Sequence, residues 1–114
     1  MQNDFNLVPG MILQHFKRET VDLSVNPNAY LYEFIGVGVH SETNEPLEIY
    51  KALYNSEDFS VTVGKICCRP YSMFLSEVDK NKYPDVKQKF RFEPFYYNIT
   101  TSISIKNTGE LEKK

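Results

Sequence analysis

The feature that most constrains the fold of this chain is a repeated alternation of apolar and polar residues with a period of two. It is clearest over residues 30–39 and 47–54, which are joined by a polar stretch that ends in Pro46. Alternation of this kind is typical of β-strands, because successive side chains point to opposite faces of a sheet. Two such segments joined by a turn-rich loop predict an antiparallel hairpin.

Shorter alternating segments predict further strands over residues 11–17, 59–63, 66–69 and 90–95. Pro70 suits the first position of a helix, so we expect two helical turns over residues 71–78, anchored by Met73, Phe74 and Val78. Residues 18–29 and 79–89 lack a clean period and predict long loops. The expected fold is mainly β: a small, strongly bent barrel of about five to six mostly antiparallel strands with one short helix.

A chain of 114 residues has room for one domain. We place a small β-barrel domain at residues 7–94, an additional C-terminal strand at 95–106 and a polar tail at 107–114. Thirteen basic and fifteen acidic residues give a net charge of −2, which argues against a nucleic-acid partner. The sequence has no apolar stretch of membrane-spanning length and no signal peptide, so we expect a cytoplasmic protein without a membrane partner.

Four sequence elements in order carry a resemblance to a known family. They are H-F-K at residues 15–17, L-Y through H-S-E-T at 31–43, the strand at 45–54, and R-P-x-x-M-F at 69–74 followed by Glu77-Val78. Together they resemble the small bacterial family catalogued as domain of unknown function 1653, over roughly residues 9–92. The resemblance implies a single β-barrel of the SH3-like type, and it supplies no activity.

The chain also departs from that family's pattern. Residues 18–29 are an insertion, and residues 55–66 are longer than usual before the R-P element. Cys67 stands where the family often carries Trp, and the last predicted strand lies beyond the family's usual end. These departures bear on the geometry of the loops and on any pocket that those loops shape.

The two cysteines, Cys67 and Cys68, are adjacent, which disfavours a disulfide between them. In a strand they would point to opposite faces, so we expect two dispensable thiols, one buried and one partly exposed. A second cysteine pair that could complete a metal site is lacking, and we predict no cofactor.

The candidate ligand-binding residues are polar or basic side chains from the first strand, the hairpin loop and the R-P element. They are His15, Lys17, His40, Ser41, Glu42, Thr43 and Arg69. We expect the His40 loop to pack against the first strand and form a groove for an anionic or polar ligand, with Arg69 suited to bidentate contacts.

Two alternatives remain open for the His40 loop. Ser41 and Thr43 are able to bond local backbone groups, which would make the loop a purely structural turn. The other alternative is a metal site, for which His15, His40, Glu42 and Glu45 are suitable ligand types, although they lack the tight spacing of known motifs. We find no catalytic constellation.

Tyr50 and Tyr54 complete the candidate ligand-binding residues as the best exposed aromatic pair, because both lie on the second face of their strand. An exposed aromatic face of this kind is able to bind a peptide in a groove or to stack on a nucleic-acid base. The other interpretation is that these aromatic residues fill the core.

Two functions follow from these residues. The first is a non-enzymatic binding module that engages a peptide, a protein partner or a compact polar ligand through loops and an aromatic face. The alternative is an enzyme or enzyme accessory acting on a small polar or anionic substrate at the His40–Glu42 loop. A deep pocket in which His15, His40 and Arg69 converge favours the alternative, and a shallow aromatic groove favours the binding module.

Overall fold

A computed structural model describes residues 6–95. Five antiparallel strands form one sheet in the order β4-β3-β2-β1-β5. The strands are β1 (Ile12–His15), β2 (Leu31–Val39), β3 (Pro46–Ala52), β4 (Ile66–Pro70) and β5 (Phe92–Pro94). A 3₁₀-helix, Phe16–Thr20, follows β1, and a one-turn helix α1, Tyr71–Phe74, follows β4. The predicted mainly β fold with about five strands and one short helix is confirmed. Within the described range, no helix has the length and apolar character needed to cross a membrane.

The β2–β3 hairpin is the longest pairing in the sheet and is confirmed as predicted. It runs from Tyr32 opposite Ala52 to Val39 opposite Pro46, and its register shifts between Phe34 and Gly36. Such an irregularity bends a strand. Gly38 allows the Ile49 side chain to approach the β2 backbone closely, because a Cβ atom at position 38 would lie 3.0 Å from Cδ1 of Ile49.

The sheet curls until its edges face each other across the core. Phe92 on β5 is three strands away from Tyr50 on β3, which would separate them by about 14 Å in a flat sheet. Their ring centroids are nevertheless 5.1 Å apart, and the Arg69 guanidinium on β4 is 5.7 Å from the Phe92 centroid. The predicted strong bend is therefore present. Among the described residues, the edge strands β4 and β5 do not pair with each other, and SH3-like closure stays a prediction.

The main core fills the concave side of the sheet with aromatic rings. Phe74 of α1 stacks on Phe92 of β5, with centroids 4.3 Å apart and planes at 8°. The buried members of this core are Leu13, Ala29, Tyr32, Phe34, Tyr50, Ala52, Tyr54, Phe74, Leu75 and Phe92. Phe16, Val78 and Val86 form a smaller cluster beside it.

The expected exposure of Tyr50 and Tyr54 is wrong. Their relative exposures are 4% and 5%, and both rings belong to the main core. Alternation had separated the two faces of the strand correctly. It could not show which face packs inward, because both faces contain apolar residues and the buried face also carries Glu48.

The predicted strand over residues 59–63 is also wrong. The segment is a loop in which the Asp58 carboxylate accepts hydrogen bonds from the backbone N–H and hydroxyl of Ser60, at 3.0 and 2.8 Å. Phe59 has a φ of +59°, which is incompatible with an extended strand. Local side-chain bonds therefore replace strand pairing in this loop.

Smaller differences concern helix length and segment ends. The helix predicted over residues 71–78 ends after one turn; Phe74 and Val78 are buried as expected, whereas Met73 is 45% exposed. The first three residues of the loop predicted over 18–29 belong to the 3₁₀-helix, which ends at Thr20. The predicted strand over 95–106 lies, apart from its first residue, outside the described residues.

Candidate functional site

A cavity of about 570 Å³, here called the first cavity, opens at the end of β1. The His15 N–H donates to the carbonyl of Tyr30 at 3.0 Å, so the end of β1 lies beside the start of β2. Three groups of residues line the cavity: the basic group His15, Lys17 and Arg69, the tyrosines 30, 32 and 54, and residues 56–58, 60 and 61 of the β3–β4 loop. The structure thus brings together four of the predicted site residues, His15, Lys17, Tyr54 and Arg69.

His15 is a neutral hydrogen-bonding group inside this site. It is 6% exposed, and its ring stacks on Phe16 at 4.5 Å and meets the edge of Phe92 at 5.0 Å. Burial, together with the positive charges of Arg69, Arg91 and Lys17, lowers the pKa of His15 to about 3. Its Nδ1 accepts the Lys17 N–H at 3.1 Å. The neutral ring therefore carries its proton on Nε2 and is a hydrogen-bond donor there.

The basic group His15, Lys17 and Arg69, here called the basic wall, contains two charged side chains that form no ion pair among the described residues. Arg69 Nε donates to the Tyr50 hydroxyl at 3.1 Å, a neutral acceptor. Neither Arg69 nor Lys17 forms an ion pair within residues 6–95. Arg91 lies nearby and donates through Nε to the Met73 carbonyl at 3.0 Å; burial first, then the charge of Arg69, lowers its pKa. An anion at this wall would find charge-assisted donors already in place.

A second part of the lining, here called the acidic wall, comes from the β3–β4 loop. Glu57 and Asp58 both line the cavity. The Asp58 carboxylate also accepts a hydrogen bond from the Ser56 hydroxyl at 2.9 Å, and its hydrogen bonds to Ser60 and Ser56 lower its pKa to about 2. Asp58 is therefore ionised at neutral pH and organises the loop. The cavity has a positive wall and a negative wall.

Three tyrosines, Tyr30, Tyr32 and Tyr54, form the aromatic part of the lining, here called the floor. The Tyr32 and Tyr54 hydroxyls lie 3.1 Å apart, and burial raises the pKa of both phenols, which keeps them neutral. Tyr30 has a φ of +63°, a strained conformation for a bulky residue, and its ring lies 5.6 Å from His15 and 5.4 Å from Tyr54. Sequence reasoning missed Tyr30 as a site residue, because alternation does not signal a left-handed backbone.

The His40 loop does not take part in this cavity, and its expected packing against the first strand is wrong. Tyr30 lies beside His15, whereas His40 follows the far end of β2, whose nine residues span roughly 25 Å or more. His40 Nδ1 instead accepts the Glu42 N–H at 3.2 Å, and Thr43 Oγ1 accepts the Glu45 N–H at 3.2 Å. Ser41 is exposed in the same turn. These bonds are those of a structural turn.

The described residues contain no group of three or more His, Cys, Asp or Glu side chains placed to hold a metal ion. Cys67 and Cys68 are both free; Cys68 is exposed, and Cys67 is half-buried rather than fully buried. Cys67 pairs with Tyr50 across the sheet and therefore shares the inner face, where burial raises the pKa of its thiol.

A second cavity of about 670 Å³ adjoins the first. Four residues line both, namely Tyr30, Tyr54, Ser56 and Glu57. The remaining wall comes from Asn55 and from Val21, Asp22, Val25, Asn26 and Ala29. The second cavity is therefore built largely by residues 18–29 and 55–66. These are the two segments in which the chain departs from the sequence pattern of the family it resembles.

Comparison with known proteins gives one match, and it agrees with the sequence resemblance. Residues 11–94 match the family described as Protein of unknown function (DUF1653). No curated protein and no solved structure matches the chain. The matched region contains all five strands and every residue that lines the first cavity. The chain therefore belongs to the DUF1653 family.

Proposed function

We propose that this chain is a non-enzymatic binding module that holds the anionic group of a ligand in the first cavity. The observation that carries the proposal is the basic wall, where Arg69 and Lys17 lack ion-pair partners among the described residues. His15 adds a neutral donor beside them. Two cations and a fixed donor around one space favour a carboxylate or phosphate group.

The size of the cavity fits a compact ligand group. Its volume of about 570 Å³ lies within the usual range for small-molecule sites. The site also has the usual composition of such pockets, since aromatic rings form its floor and a few polar groups converge on it. His15 and Arg69 lie on packed strands and Lys17 lies on the adjoining 3₁₀-helix, which limits the ordering required on binding.

A binding role has more support than catalysis at this site. A histidine with a pKa of about 3 is a weak base at neutral pH, so His15 is poorly matched to general base catalysis. The alternative function, an enzyme or accessory acting at the His40–Glu42 loop, has less support because that loop lies outside the cavity and satisfies its own backbone.

The test is a ¹H–¹⁵N NMR titration of the full chain with succinate and with inorganic phosphate at constant ionic strength. We expect shifts at the backbone amides of His15, Lys17 and Arg69. Lys17→Gln and Arg69→Gln should each weaken binding at least about tenfold, because each removes a charged partner. Lys51→Gln is the matched control, since Lys51 pairs with Glu33 at 3.4 Å on the sheet.

Two outcomes would contradict the proposal. One is the absence of saturable shifts around the first cavity with either anion. The other is equal binding by Lys17→Gln and Lys51→Gln. The Lys17 variant keeps the test valid even where Arg69→Gln disturbs folding through its lost bond to Tyr50.

A further inference from the structure

We infer that the ligand is the free carboxyl end of a peptide, with its terminal carboxylate in the first cavity and its preceding residues in the second. This inference rests on the proposed function and adds the class of ligand. Its starting observation is that the two cavities are neighbours and share Tyr30, Tyr54, Ser56 and Glu57 as lining residues.

The shared residues make the two cavities one elongated site. The Tyr30 and Tyr54 rings, with centroids 5.4 Å apart, line both cavities. A compact anion would occupy the first cavity alone. A ligand with a carboxylate at one end and an extended body would occupy both cavities and exclude water from the partly buried Tyr30 ring.

The second cavity has the mixed chemistry that a peptide requires. Val21, Val25 and Ala29 offer apolar surface, whereas Asp22 and Glu57 offer carboxylates. A plain aliphatic chain would desolvate those carboxylates without replacing their hydrogen bonds with water. The N–H groups and polar side chains of a peptide are able to supply such bonds. The lining therefore favours a peptide over a fatty acid.

The charge distribution also orients the peptide. The carboxyl end belongs at Arg69 and Lys17, and the residues before it pass Glu57, Asp58 and Asp22. A basic side chain one to three positions before the carboxyl end would meet this acidic surface. We therefore expect a preference for lysine or arginine at those positions.

The test uses an array of synthetic tetrapeptides attached through their N-termini, each prepared with a free carboxyl end and as the matched amide. The full chain should bind a subset of the free acids, enriched in a basic residue before the last position. The matched amides should bind at least tenfold more weakly, because amidation removes the charge that faces Arg69 and Lys17. Affinities of the strongest peptide and its amide are then measured in solution by calorimetry.

A variant pair separates the second cavity from the first. Val25, which is 79% exposed, is changed in Val25→Ser, and the distant Val39, which is 63% exposed, in the control Val39→Ser. Val25→Ser removes apolar surface from the second cavity without adding charge, so it should weaken peptide binding about fivefold or more and leave succinate and phosphate binding unchanged. Val39→Ser should change neither.

Failure of this inference is distinguishable from failure of the proposed function. Succinate or phosphate binding that requires Lys17, together with no peptide binding or with equal binding of acids and amides, would overturn the peptide and keep the anion site. An unchanged peptide affinity in Val25→Ser, or decanoate binding tenfold tighter than any peptide, would also overturn it. Loss of small-anion binding as well would overturn both.

Discussion

The two histidines occupy the same local arrangement in two different regions. In each, Nδ1 accepts the N–H of the residue two positions later, at 3.1 Å from Lys17 to His15 and at 3.2 Å from Glu42 to His40. His15 is packed among rings and cations at the cavity, whereas His40 is exposed in the turn at the far end of β2. The comparison shows that a local hydrogen bond does not make a site. Long-range packing around the ring gives His15 its lowered pKa and its place in the cavity.

The largest expected effect is at the core beneath His15. Phe92→Ala removes a 2% exposed ring that contacts His15, Tyr50 and Phe74, so the free energy of unfolding should fall by about 3–5 kcal/mol. The control is Val37→Ala, at a site 59% exposed in the region of His40, which should cost less than about 0.5 kcal/mol. Chemical denaturation measures both. Similar losses of unfolding free energy in Phe92→Ala and Val37→Ala would mean that the region of His15 and the region of His40 are equally well packed.

Replacing each histidine tests the comparison directly. His15→Ala removes ring contacts and the acceptor of the Lys17 N–H, so we expect a loss of about 2–3 kcal/mol. His40→Ala removes one exposed hydrogen bond and should cost less than about 1 kcal/mol. Thermal melts of the two variants distinguish them. A larger loss for His40 would reverse our assignment of the structurally embedded histidine.

The stability of the protein should also depend on pH through His15. The folded-state pKa of His15 is lowered to about 3, so between pH 3 and 6.5 the unfolded chain binds a proton that the folded chain does not. Stability from this group is complete above pH 6.5 and falls as the pH decreases. From pH 7.5 to pH 5 the loss should be about 2 kcal/mol.

The measurement is urea denaturation at several pH values across that window. His15→Phe should flatten the dependence on pH, because it removes the titrating group and keeps an aromatic ring. A persistent slope in His15→Phe would assign it to another group.

A gain in stability is expected at Glu48, on the half of the hairpin that leads to His40. This residue is 3% exposed, and its Oε1 has no hydrogen-bond partner among the described residues. Burial raises the pKa of the carboxyl above its usual range, so the ionised form is unfavourable in the folded state. Glu48→Gln should raise the unfolding free energy by about 1 kcal/mol at pH 7. The gain should shrink at pH 4, where the wild-type carboxyl is largely protonated in both the folded and the unfolded state. A loss of stability in Glu48→Gln at pH 7 would contradict this expectation.

The smallest effect is expected at Cys68, an exposed free thiol on β4. Cys68→Ser should change the melting temperature by less than about 2 °C, since it alters no packed group. Reductant should leave the melting temperature of the wild type unchanged. A marked dependence on reductant would reveal a role for the thiol that its exposure does not suggest.

Much of the sheet could be predicted from residue order alone. The hairpin was predictable because Tyr32, Phe34, Tyr50 and Ala52 occupy every second position of two long segments. Packing between the two strands stabilises side chains that are spaced in this way. The segment around Phe59 has the same alternation over fewer residues. In that segment the Asp58 carboxylate accepts hydrogen bonds from Ser56 and Ser60, and Phe59 adopts a left-handed backbone conformation. Short-range polar bonds of this kind produce no periodic pattern in the sequence.

The candidate site was predictable in part, for a different reason. The basic residues His15, Lys17 and Arg69 were identified by type and by resemblance to the family, and the curled sheet brings them together. The His40 loop carries equally suitable residue types. Its exclusion depends on the length of β2 and on the direction in which the sheet curls, which are properties of the whole fold.

The second cavity is lined by residues that lie outside the strands, and this is useful for engineering. Its walls at residues 21–29 and 55–57 lie outside all five strands, whereas Arg69 and His15 are on β4 and β1. Exposed positions such as Val21 and Val25 can therefore be randomised without touching a strand pairing or a buried ring. A library at these positions would sample new surfaces on a constant scaffold, with the basic wall left in place as a fixed anchor.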